Sequence, residues 1–464
     1  MDLTLGEIAA ILGSVSLAPE RVARSYSIDS RTLQPQSLFF ALRGPHFDGH
    51  SFVETALQAG AAGAVVESAW AQSASANITP LLIPVADAVA ALQDLGGAVR
   101  RKWSRPVIAV TGSTGKTTTK ELLASVLSAR YAVHKSAENL NNHLGVPLTL
   151  LGLTPAHEVA VLEFGMSHAG EIARLARLAL PAVGVVTNVA PVHLEFFDSL
   201  ADIAAAKREL IENLTSPSTA ILNYDDQQVR CFRQGFPGRV VTYGFEPGAD
   251  YRATGFRLET NPHGDVGSAF RVWGPEFEAD LSVALPGRHN VANALASIAV
   301  GRLLGVPPSA IATALAEFRP LRGRTEVERI PPGVTLLNDS YNSNPRAMEQ
   351  MLELVREWPG IARRIVVAGE MLELGPSAPE LHRNVGRAAA LARLGWLLAV
   401  RGDARFMLEG AIEAGLPREH CRFFDEASEA GVFCRSILEP GDMVLVKGSR
   451  GVHLEKAVEA LKAA

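Results

Sequence analysis

The stretch that decides the fold is VIAVTGSTGKTTTK, residues 107–120. An apolar run ends in a glycine-rich turn, Gly-Lys-Thr follows, and the helix-forming segment ELLASVL continues to residue 127. A strand, a glycine turn, a lysine, a hydroxyl and a helix in this order are typical of a phosphate-binding loop. In such loops, backbone N–H groups and the positive end of the helix dipole bind phosphate oxygens. The sequence therefore predicts a nucleotide site at this turn.

The loop departs from the full eight-residue pattern at one position. That pattern has a glycine five positions before Gly115, where this chain has Val110. The shorter form over residues 111–117 remains, and a chance glycine-rich turn is the alternative. We favour the phosphate loop because a strand and a helix flank the turn as the mechanism requires. The residues predicted to hold the nucleotide phosphates are Gly112, Ser113, Thr114, Gly115, Lys116, Thr117 and Thr118.

Length and composition limit the class of protein. With 464 residues, the chain is too long for one core, and no run of eighteen apolar residues predicts a membrane span. The first residues, MDLTLGE, lack the basic and apolar regions of an export signal, so a cytoplasmic location is expected. The net charge of −5 gives no reason to expect nucleic acid as a partner. The three scattered cysteines are expected to be reduced thiols.

Alternating strand and helix patterns predict an α/β fold in three domains. Two linkers are predicted, at residues 99–106 and 317–325. The predicted domains are a small N-terminal α/β domain (1–103), a central P-loop domain with a parallel sheet (104–318) and a C-terminal Rossmann-like α/β domain (319–464). Residues 250–285 predict an antiparallel excursion. Strands are predicted at residues 37–42, 62–67, 107–111, 159–164, 183–188, 220–223, 240–243, 334–337, 365–368, 397–400 and 443–446.

Polar residues lie where these strands end, which is where open α/β sheets bind ligands. Glu163 ends one strand and suits Mg²⁺, although a helix cap or a surface charge is an equal alternative. His193 follows another strand end, but an isolated histidine is usually just a satisfied polar residue. By spacing alone Lys207 is an ordinary surface lysine. In the C-terminal domain, Asp339, Asn342, Asn344 and Lys447 could meet a substrate across a cleft between domains.

Two polar, glycine-rich loops lie on either side of the strand predicted at residues 37–42. They are Asp-Ser-Arg-Thr at 29–32 and Arg-Gly-Pro-His-Phe-Asp-Gly-His at 43–50. Serine, arginine, aspartate and backbone amides beside a strand end suit a phosphate or a sugar. A plain solvated loop is an equally good interpretation of the same residues.

Several segments together resemble the Mur ligases, the ATP-dependent amide-forming enzymes of peptidoglycan synthesis. In chain order they are TGSTGKTTTKE (111–121), NLNNHLGVP (139–147), EFGM (163–166), NVAPVHLE (188–195), AK (206–207), GRHN (287–290) and KGSR (447–450). The resemblance covers nearly the whole chain, and the family's loop is of the shortened type, which accounts for Val110. Within the family, DSYNSNP at 339–345 resembles the segment of the member that adds D-alanyl-D-alanine, with Ser343 in place of alanine.

The resemblance implies a ligase that joins D-alanyl-D-alanine to UDP-N-acetylmuramoyl-tripeptide through an acyl phosphate and a tetrahedral intermediate. It implies ATP and two Mg²⁺ ions, one at Thr117 and Glu163 and one at His193. It also implies that Lys207 is carbamylated. Implied catalytic residues are Lys116, Glu163, His193 and Lys207, and implied nucleotide contacts are Asn290, Arg324 and Asp339. Implied substrate contacts are Ser30, Arg31, Asp48, Gly49 and His50 at the UDP end, and Asn342, Asn344, Lys447 and Arg450 at the peptide end. We expect a monomer with a hinge near residues 319–325.

Two alternatives remain at this point. One is another amide ligase of the same superfamily, such as the preceding Mur ligase or a folate polyglutamylating enzyme. The folate enzyme lacks a separate UDP-binding domain, whereas about 100 residues precede the loop here. The other is a P-loop NTPase switch or motor. It predicts hydrolysis without a dipeptide, and it leaves the second α/β domain unexplained.

Overall fold

The computed structural model describes residues 1–45, 47–192, 194–260, 266–275 and 277–463. The N-terminal part is a four-stranded parallel sheet of order β3-β4-β5-β6 beside a two-stranded ribbon of β1 and β2. Its elements are β1 (Leu3–Thr4), α1 (Leu5–Ile11), β2 (Val22–Ala23), β3 (Ser25–Ser27), β4 (Ser37–Phe40), α2 (Val53–Gln58), β5 (Gly63–Glu67), α3 (Ser68–Ala71), β6 (Leu82–Val85) and α4 (Ala88–Trp103). The two strands predicted here are confirmed with shorter bounds.

Helix α4 overlaps the first predicted linker. The prediction of a linker over residues 99–106 is wrong through Trp103, where α4 ends. Arg100 is buried and donates to the carbonyl oxygens of Ala179 (2.6 Å) and Leu180 (3.0 Å). The Trp103 indole N–H donates to the carbonyl oxygen of His157 (3.2 Å). The basic residues that suggested a linker therefore attach α4 to the following domain.

The central part is a nine-stranded sheet of order β15-β14-β13-β12-β11-β10-β7-β9-β8. Its elements are β7 (Val107–Thr111), α5 (Lys116–Ser128), β8 (Val133–Lys135), α6 (Gly145–Leu151), β9 (Val159–Glu163), α7 (Glu171–Ala179), β10 (Val183–Val186), α8 (Leu200–Glu212), β11 (Thr219–Asn223), α9 (Gln227–Cys231), β12 (Arg239–Gly244), β13 (Tyr251–Thr260), β14 (Val266–Gly274), β15 (Phe277–Val283), α10 (Arg288–Leu303) and α11 (Pro308–Ala316).

The predicted parallel sheet and antiparallel excursion are both confirmed. Neighbouring strands from β7 through β13 pair in parallel, whereas β14 pairs antiparallel with both β13 and β15. Both faces of β7 are buried: Val107 and Ala109 pack in one hydrophobic cluster, and Ile108 and Val110 pack in another. An apolar strand covered on both sides explains the unbroken apolar run. In the strand order β7 lies between β10 and β9, so the turn after β7 opens at the carboxyl edge of the sheet between these two neighbours.

The C-terminal part is a six-stranded sheet of order β16-β17-β21-β18-β19-β20, parallel except for β16 at one edge. Its elements are β16 (Glu326–Ile330), β17 (Val334–Asp339), α12 (Pro345–Glu357), β18 (Arg364–Gly369), α13 (Ala378–Leu391), β19 (Trp396–Val400), α14 (Arg405–Glu413), β20 (Cys421–Phe424), α15 (Ala427–Ser436), β21 (Met443–Lys447) and α16 (Glu455–Lys462). The second linker, residues 317–325, lies outside helices and strands, as predicted.

The central and C-terminal parts contact each other away from the linker as well. Leu258 of β13 and Val266 of β14 pack against the hydrophobic core of the C-terminal sheet. The backbone N–H of Glu195 donates to the carbonyl oxygen of Glu373 (3.4 Å). The carboxyl edges of the two sheets are thereby brought to a shared cavity. Within the described residues, no helix is long and apolar enough to cross a membrane.

Candidate active site

The turn between β7 and α5 can be made only with glycine at two positions. Gly112 has φ +148°, and a Cβ built on it would lie 1.8 Å from Thr187 Oγ1. Gly115 has φ +78°, and a Cβ there would lie 2.6 Å from Asn293 Oδ1. Strand β10 and helix α10 therefore press directly on the loop backbone. The Lys116 amine bends back over the loop and donates to the carbonyl oxygen of Gly112 (2.8 Å).

Asn188, just beyond β10, holds the first half of the loop. The backbone N–H groups of Ser113 and Thr114 donate to the carbonyl oxygen and to Oδ1 of Asn188, each at 2.9 Å. These two amides are already occupied. The amides left to face a phosphate are those of the first turn of α5, from Lys116 onward, where intrahelical partners are lacking. The sequence placed Asn188 at a strand end but gave it no function.

Glu163 ends β9, the strand beside β7, and is only 2% exposed. Its Oε1 accepts a hydrogen bond from Asn141 Nδ2 (2.9 Å), and its backbone N–H donates to Ser136 Oγ (3.2 Å). Its other carboxylate oxygen, Oε2, is buried and lacks a hydrogen-bond partner among the described residues. An unpaired carboxylate oxygen is costly to bury, and a hard cation such as Mg²⁺ would compensate it. The surface-charge alternative for Glu163 is therefore wrong.

The protein offers few ligands to such a cation. The described ranges contain no group of three or more His, Cys, Asp or Glu residues that could hold a metal ion. Mg²⁺ characteristically takes one or two carboxylates and completes its shell with phosphate oxygens and water. Glu163 Oε2, a single unpaired carboxylate oxygen beside a phosphate loop, fits this preference of Mg²⁺. The predicted second ligand, His193, lies outside the described residues.

Lys207 on α8 lies in the same cavity and is 2% exposed, so the expectation of an ordinary surface lysine is wrong. Burial, reinforced by the nearby Lys116, lowers the pKa of Lys207 well below its usual range. In the part of the chain that the structure describes, no side chain or carbonyl bonds its amine. Burial also lowers the pKa of Lys116, against the attraction of Glu163 and with a further contribution from Arg324. Burial therefore favours the neutral, nucleophilic form of the Lys207 amine.

The C-terminal sheet contributes a buried ion pair to the cavity. Asp339, at the end of β17, pairs with Lys447, at the end of β21, and its Oδ1 accepts from the backbone N–H of Thr325 (2.9 Å). Lys447 also donates to the carbonyl oxygen of Asn342 (2.9 Å). The Arg324 guanidinium stacks 4.1 Å above the ring of Tyr341. Asp339 thus joins the linker to the sheet beside the phosphate loop.

Nearly all predicted nucleotide and peptide residues line one cavity of about 840 Å³ between the central and C-terminal parts. Two of them use their side chains locally: Asn344 Oδ1 caps α12 at the N–H of Ala347 (2.9 Å), and Asn290 Nδ2 donates to the carbonyl oxygen of Pro286 (2.9 Å). The predicted residues that line the cavity are Ser113, Thr114, Gly115, Lys116, Thr117, Thr118, Glu163, Lys207, Asn290, Arg324, Asp339, Asn342, Asn344, Lys447 and Arg450.

The predicted UDP-end residues lie elsewhere, in the N-terminal part. Arg31, next to Ser30 in a turn, pairs with Asp29 (Nη2–Oδ2 2.7 Å) and lowers the pKa of that carboxyl to about 2. Asp48 accepts from the N–H of His50 (3.0 Å).

His50 itself is buried, with Nδ1 2.6 Å from Asp48 Oδ1 and Nε2 accepting from the N–H of Glu67 (3.0 Å). Both ring nitrogens are therefore occupied by the protein. Gly49 approaches the chain so closely that a Cβ would lie 2.6 Å from the carbonyl oxygen of Leu42. His50 and Gly49 therefore fix the backbone of this loop, and the exposed residues around them are attached to that fixed backbone.

His289, in the first turn of α10, lines the cavity opposite the Asp339–Lys447 pair. Burial lowers its pKa to about 4; Asp339 opposes the change, and Lys447 and Arg346 add to it. An unfolded histidine titrates near 6.5. As pH falls from about 6.5 toward 4, the unfolded chain takes up a proton that the folded chain refuses, so stability falls.

Between pH 7.5 and pH 5, we therefore expect the stability of His289→Gln to fall by about 1 to 2 kcal/mol less than that of the wild type. Urea unfolding of both proteins at pH 7.5 and at pH 5 measures this difference. At pH 8, where the imidazole is neutral in both states, the ratio of folded to unfolded protein reports only the packing change and serves as the reference. Equal acid sensitivity of variant and wild type would contradict the assignment.

A phosphate loop, a partly unpaired carboxylate and a buried lysine of lowered pKa between two α/β sheets define a nucleotide-dependent enzyme of three domains. Family models match along the chain: "Mur ligase family, catalytic domain" at residues 23–100, "Mur ligase middle domain" at 110–301 and "Mur ligase, glutamate ligase domain" at 323–450.

Curated relatives match over nearly their whole length. The chain is 35% identical to the UDP-N-acetylmuramoyl-tripeptide–D-alanyl-D-alanine ligase of Escherichia coli (strain K12), covering 100% of this chain and 99% of that one. It is 33% identical to the ligase of the same name from Bacillus subtilis (strain 168), covering 95% and 94%.

Solved structures agree. MurF from Acinetobacter baumannii superposes with a TM-score of 0.88 at 30% identity, covering 100% of this chain and 99% of that one. MurF from Thermotoga maritima in complex with ADP gives 0.82 at 27% identity, covering 95% and 97%. The chain belongs to the Mur ligase family of ATP-dependent ligases. The family resemblance and the three-domain α/β architecture predicted from the sequence are confirmed.

Proposed function

We propose that this chain joins D-alanyl-D-alanine to UDP-N-acetylmuramoyl-tripeptide, with ATP as the activating co-substrate, to give the pentapeptide precursor of peptidoglycan. Full-length similarity to two ligases of that name supports the substrates. The observation that carries the proposal is the cavity where the phosphate loop, Glu163 and Lys207 face the end of β17. A carboxylate and an amine need such a site, because a carboxylate does not acylate an amine at neutral pH without activation.

In the first step, a carboxylate oxygen of the tripeptide attacks the γ-phosphorus of ATP, and ADP leaves. The N–H groups at the start of α5 and the Lys116 amine stabilise the charge that moves onto the β–γ oxygens. Thr117 and Glu163 Oε2 are the described groups that would hold Mg²⁺, which supplies Lewis-acid stabilisation to those oxygens when bound. Asn290, Arg324 and Asp339 would hold the nucleoside side of ATP from two domains.

In the second step, the dipeptide amine attacks the acyl phosphate. The tetrahedral intermediate collapses, the C–O bond to phosphate breaks, and the amine proton passes to solvent or a base. Asn342, Asn344, Lys447 and Arg450 lie on the C-terminal side of the cavity, where the peptide and dipeptide would bind. Acyl phosphates hydrolyse in water, so the C-terminal sheet packed over the loop protects the intermediate. Residues 319–325 would be the hinge of that closure.

Lys207 has the properties that carbamylation needs. A neutral amine adds to CO₂ to form a carbamate and releases one proton, and burial lowers the pKa of Lys207, which favours the neutral form. The product is an anion near Lys116, in the cavity that Glu163 also lines, so it would act as a carboxylate toward a cation. We assign this role to Lys207 and propose that its carbamate would also serve as a ligand to a second Mg²⁺ near His193.

The test is the dependence of phosphate release on both acceptors. With ATP, UDP-N-acetylmuramoyl-tripeptide and D-alanyl-D-alanine, one phosphate should appear per pentapeptide detected by mass spectrometry. Omitting the dipeptide should lower steady-state release by about 100-fold or more, because a shielded acyl phosphate turns over slowly without its amine. Phosphate release at the full rate without tripeptide and dipeptide would show an NTPase instead of a ligase.

The UDP-end contacts of Ser30, Arg31, Asp48, Gly49 and His50, the domain limits 1–103, 104–318 and 319–464, and the monomeric state remain predictions. Limited proteolysis should cut first near residues 319–325, in the chain between the second and third domains. Light scattering gives the molecular mass directly.

A further inference from the structure

Lys120 lies on α5 one turn after Lys116 and is completely buried. Its amine donates to the carbonyl oxygen of Ser136 (2.7 Å) and pairs with Glu121 Oε1 (2.9 Å). Lysine is rarely buried in this way, because removing its charge from water costs free energy that only close partners offset. The burial of the Lys120 amine on the helix that follows the phosphate loop therefore suggests a function in addition to packing.

The partner of Lys120 is the segment that holds Glu163. We call residues 136–142 the asparagine segment. At its start, Ser136 Oγ accepts from the backbone N–H of Glu163 (3.2 Å). Near its end, Asn141 Nδ2 donates to Glu163 Oε1 (2.9 Å), and the carbonyl oxygen of Asn141 accepts from the N–H of Gly165 (2.8 Å). The segment thus holds Glu163 by its backbone and by one carboxylate oxygen, which leaves Oε2 as the unpaired one.

Glu121 orients the Lys120 amine and has a second, very different partner. Burial raises the pKa of Glu121, but the hydrogen bonds from Lys135 and Lys120 outweigh it and leave the pKa below its usual value. The Lys135 side chain is 44% exposed, whereas that of Lys120 is 0% exposed. Of the two lysines on Glu121, only Lys120 bonds the asparagine segment at Ser136. The chain therefore provides its own matched control.

We propose that Lys120 is a positioning residue for Glu163: it ties helix α5 to the asparagine segment, so that the phosphate loop and the carboxylate keep a fixed separation. The phosphate loop leads directly into helix α5, which carries Lys120. Lys120 binds the carbonyl oxygen of Ser136, the first residue of the asparagine segment. Groups that orient a metal ligand characteristically change metal affinity or activity about 10- to 100-fold when removed. This inference rests on the proposed function only in taking Glu163 Oε2 as the Mg²⁺ ligand.

Lys120→Met and Lys135→Met test it, with two measurements on each full-length variant. Hydrogen exchange of the ligand-free protein should be at least about 10-fold faster in peptides covering residues 136–142 of Lys120→Met, and within about 2-fold of wild type in Lys135→Met. The free Mg²⁺ concentration that gives half-maximal pentapeptide formation should rise about 10-fold in Lys120→Met alone. Unchanged exchange and an unchanged Mg²⁺ midpoint in a folded Lys120→Met protein would overturn the proposal.

If Lys120→Met does not fold, Ser136→Ala tests the other link that the proposal requires, from the asparagine segment to Glu163: it removes the hydroxyl that accepts from the Glu163 N–H and keeps the carbonyl that Lys120 binds. It should raise the Mg²⁺ midpoint by about 3-fold or more. A Ser136→Ala protein with a wild-type midpoint would overturn the proposal. The exchange measurement needs no substrate. Failure of dipeptide-dependent activity in the wild type would therefore defeat the proposed function and leave the Lys120 result readable.

Discussion

Lys207→Ala is expected to lower kcat for pentapeptide formation by at least about 100-fold, the cost of removing one preorganised charged group from a buried site. Lys207 is 2% exposed and lines the same cavity as Glu163, and burial together with the nearby Lys116 lowers its pKa well below the usual range, so it does not act as a surface cation. A carbamate there would add one negative charge facing the cations of the reaction. Acetate or another short-chain carboxylate should partly restore activity of Lys207→Ala, because it fits the space left and supplies the missing anion.

The control is Lys102→Ala, an exposed lysine near the end of α4. It should keep wild-type kcat, and carboxylates should not stimulate it. Turnover of Lys207→Ala at the wild-type rate would show that Lys207 has no part in the reaction. A loss that no carboxylate rescues, together with an unmodified Lys207 by mass spectrometry of the active wild type, would remove the carbamate from the mechanism.

Glu163→Gln should lower kcat/KM about 1000-fold, because it removes the anion that holds Mg²⁺ against the phosphates, worth several kcal/mol of charge stabilisation. The same substitution should raise stability in the absence of Mg²⁺ by about 1 kcal/mol or more. A neutral amide replaces a buried carboxylate whose Oε2 is unpaired, and the bond from Asn141 can persist. A fall in activity together with a rise in stability of Glu163→Gln identifies Glu163 as a metal ligand. Replacing a carboxylate that serves the fold would instead lower stability.

Activity assays and urea unfolding in EDTA give the two numbers. Glu158→Gln is the matched control: it lies just before β9, it is exposed, and its carboxylate accepts from the N–H of Ala132 (2.9 Å). It should leave activity unchanged and should not gain stability. A destabilised Glu163→Gln protein that remains active would show that the carboxylate serves the fold and not the cation.

Strong local patterns predicted much of this architecture. The apolar run of β7 is buried on both faces, and its glycine turn is forced by contacts with Thr187 and Asn293, so the motif and the structure agree. The errors have physical causes as well. The basic stretch before Pro106 suggested a linker, but Arg100 is buried by hydrogen bonds to a neighbouring domain. Strand β16 was missed because three of its five residues, Glu326, Glu328 and Arg329, are charged and it lies at the edge of the sheet.

The site was harder to predict residue by residue. Motif spacing predicts Lys116 and Glu163, but only tertiary packing reveals that Lys207 is buried and that its pKa is lowered. Asn188 and Asn141 lie in segments that carry the family resemblance, but no function was predicted for them, since an amide acquires a function only through the partner it contacts in the fold. The strand-end rule places Asn188 at the carboxyl edge of the sheet but does not predict which loop amides it binds. Nothing in the sequence alone pairs Lys120 with Ser136.

The central claim is that ATP activates the tripeptide carboxylate in this cavity by transferring its γ-phosphoryl group. Tripeptide carrying ¹⁸O in its terminal carboxylate tests it directly, by mass spectrometry of the phosphate released during turnover with D-alanyl-D-alanine. Attack of the carboxylate on phosphorus requires one carboxylate oxygen to leave with each phosphate, so every phosphate should contain one ¹⁸O atom when both carboxylate oxygens are labelled. Phosphate without label, with its new oxygen from water, would contradict the account.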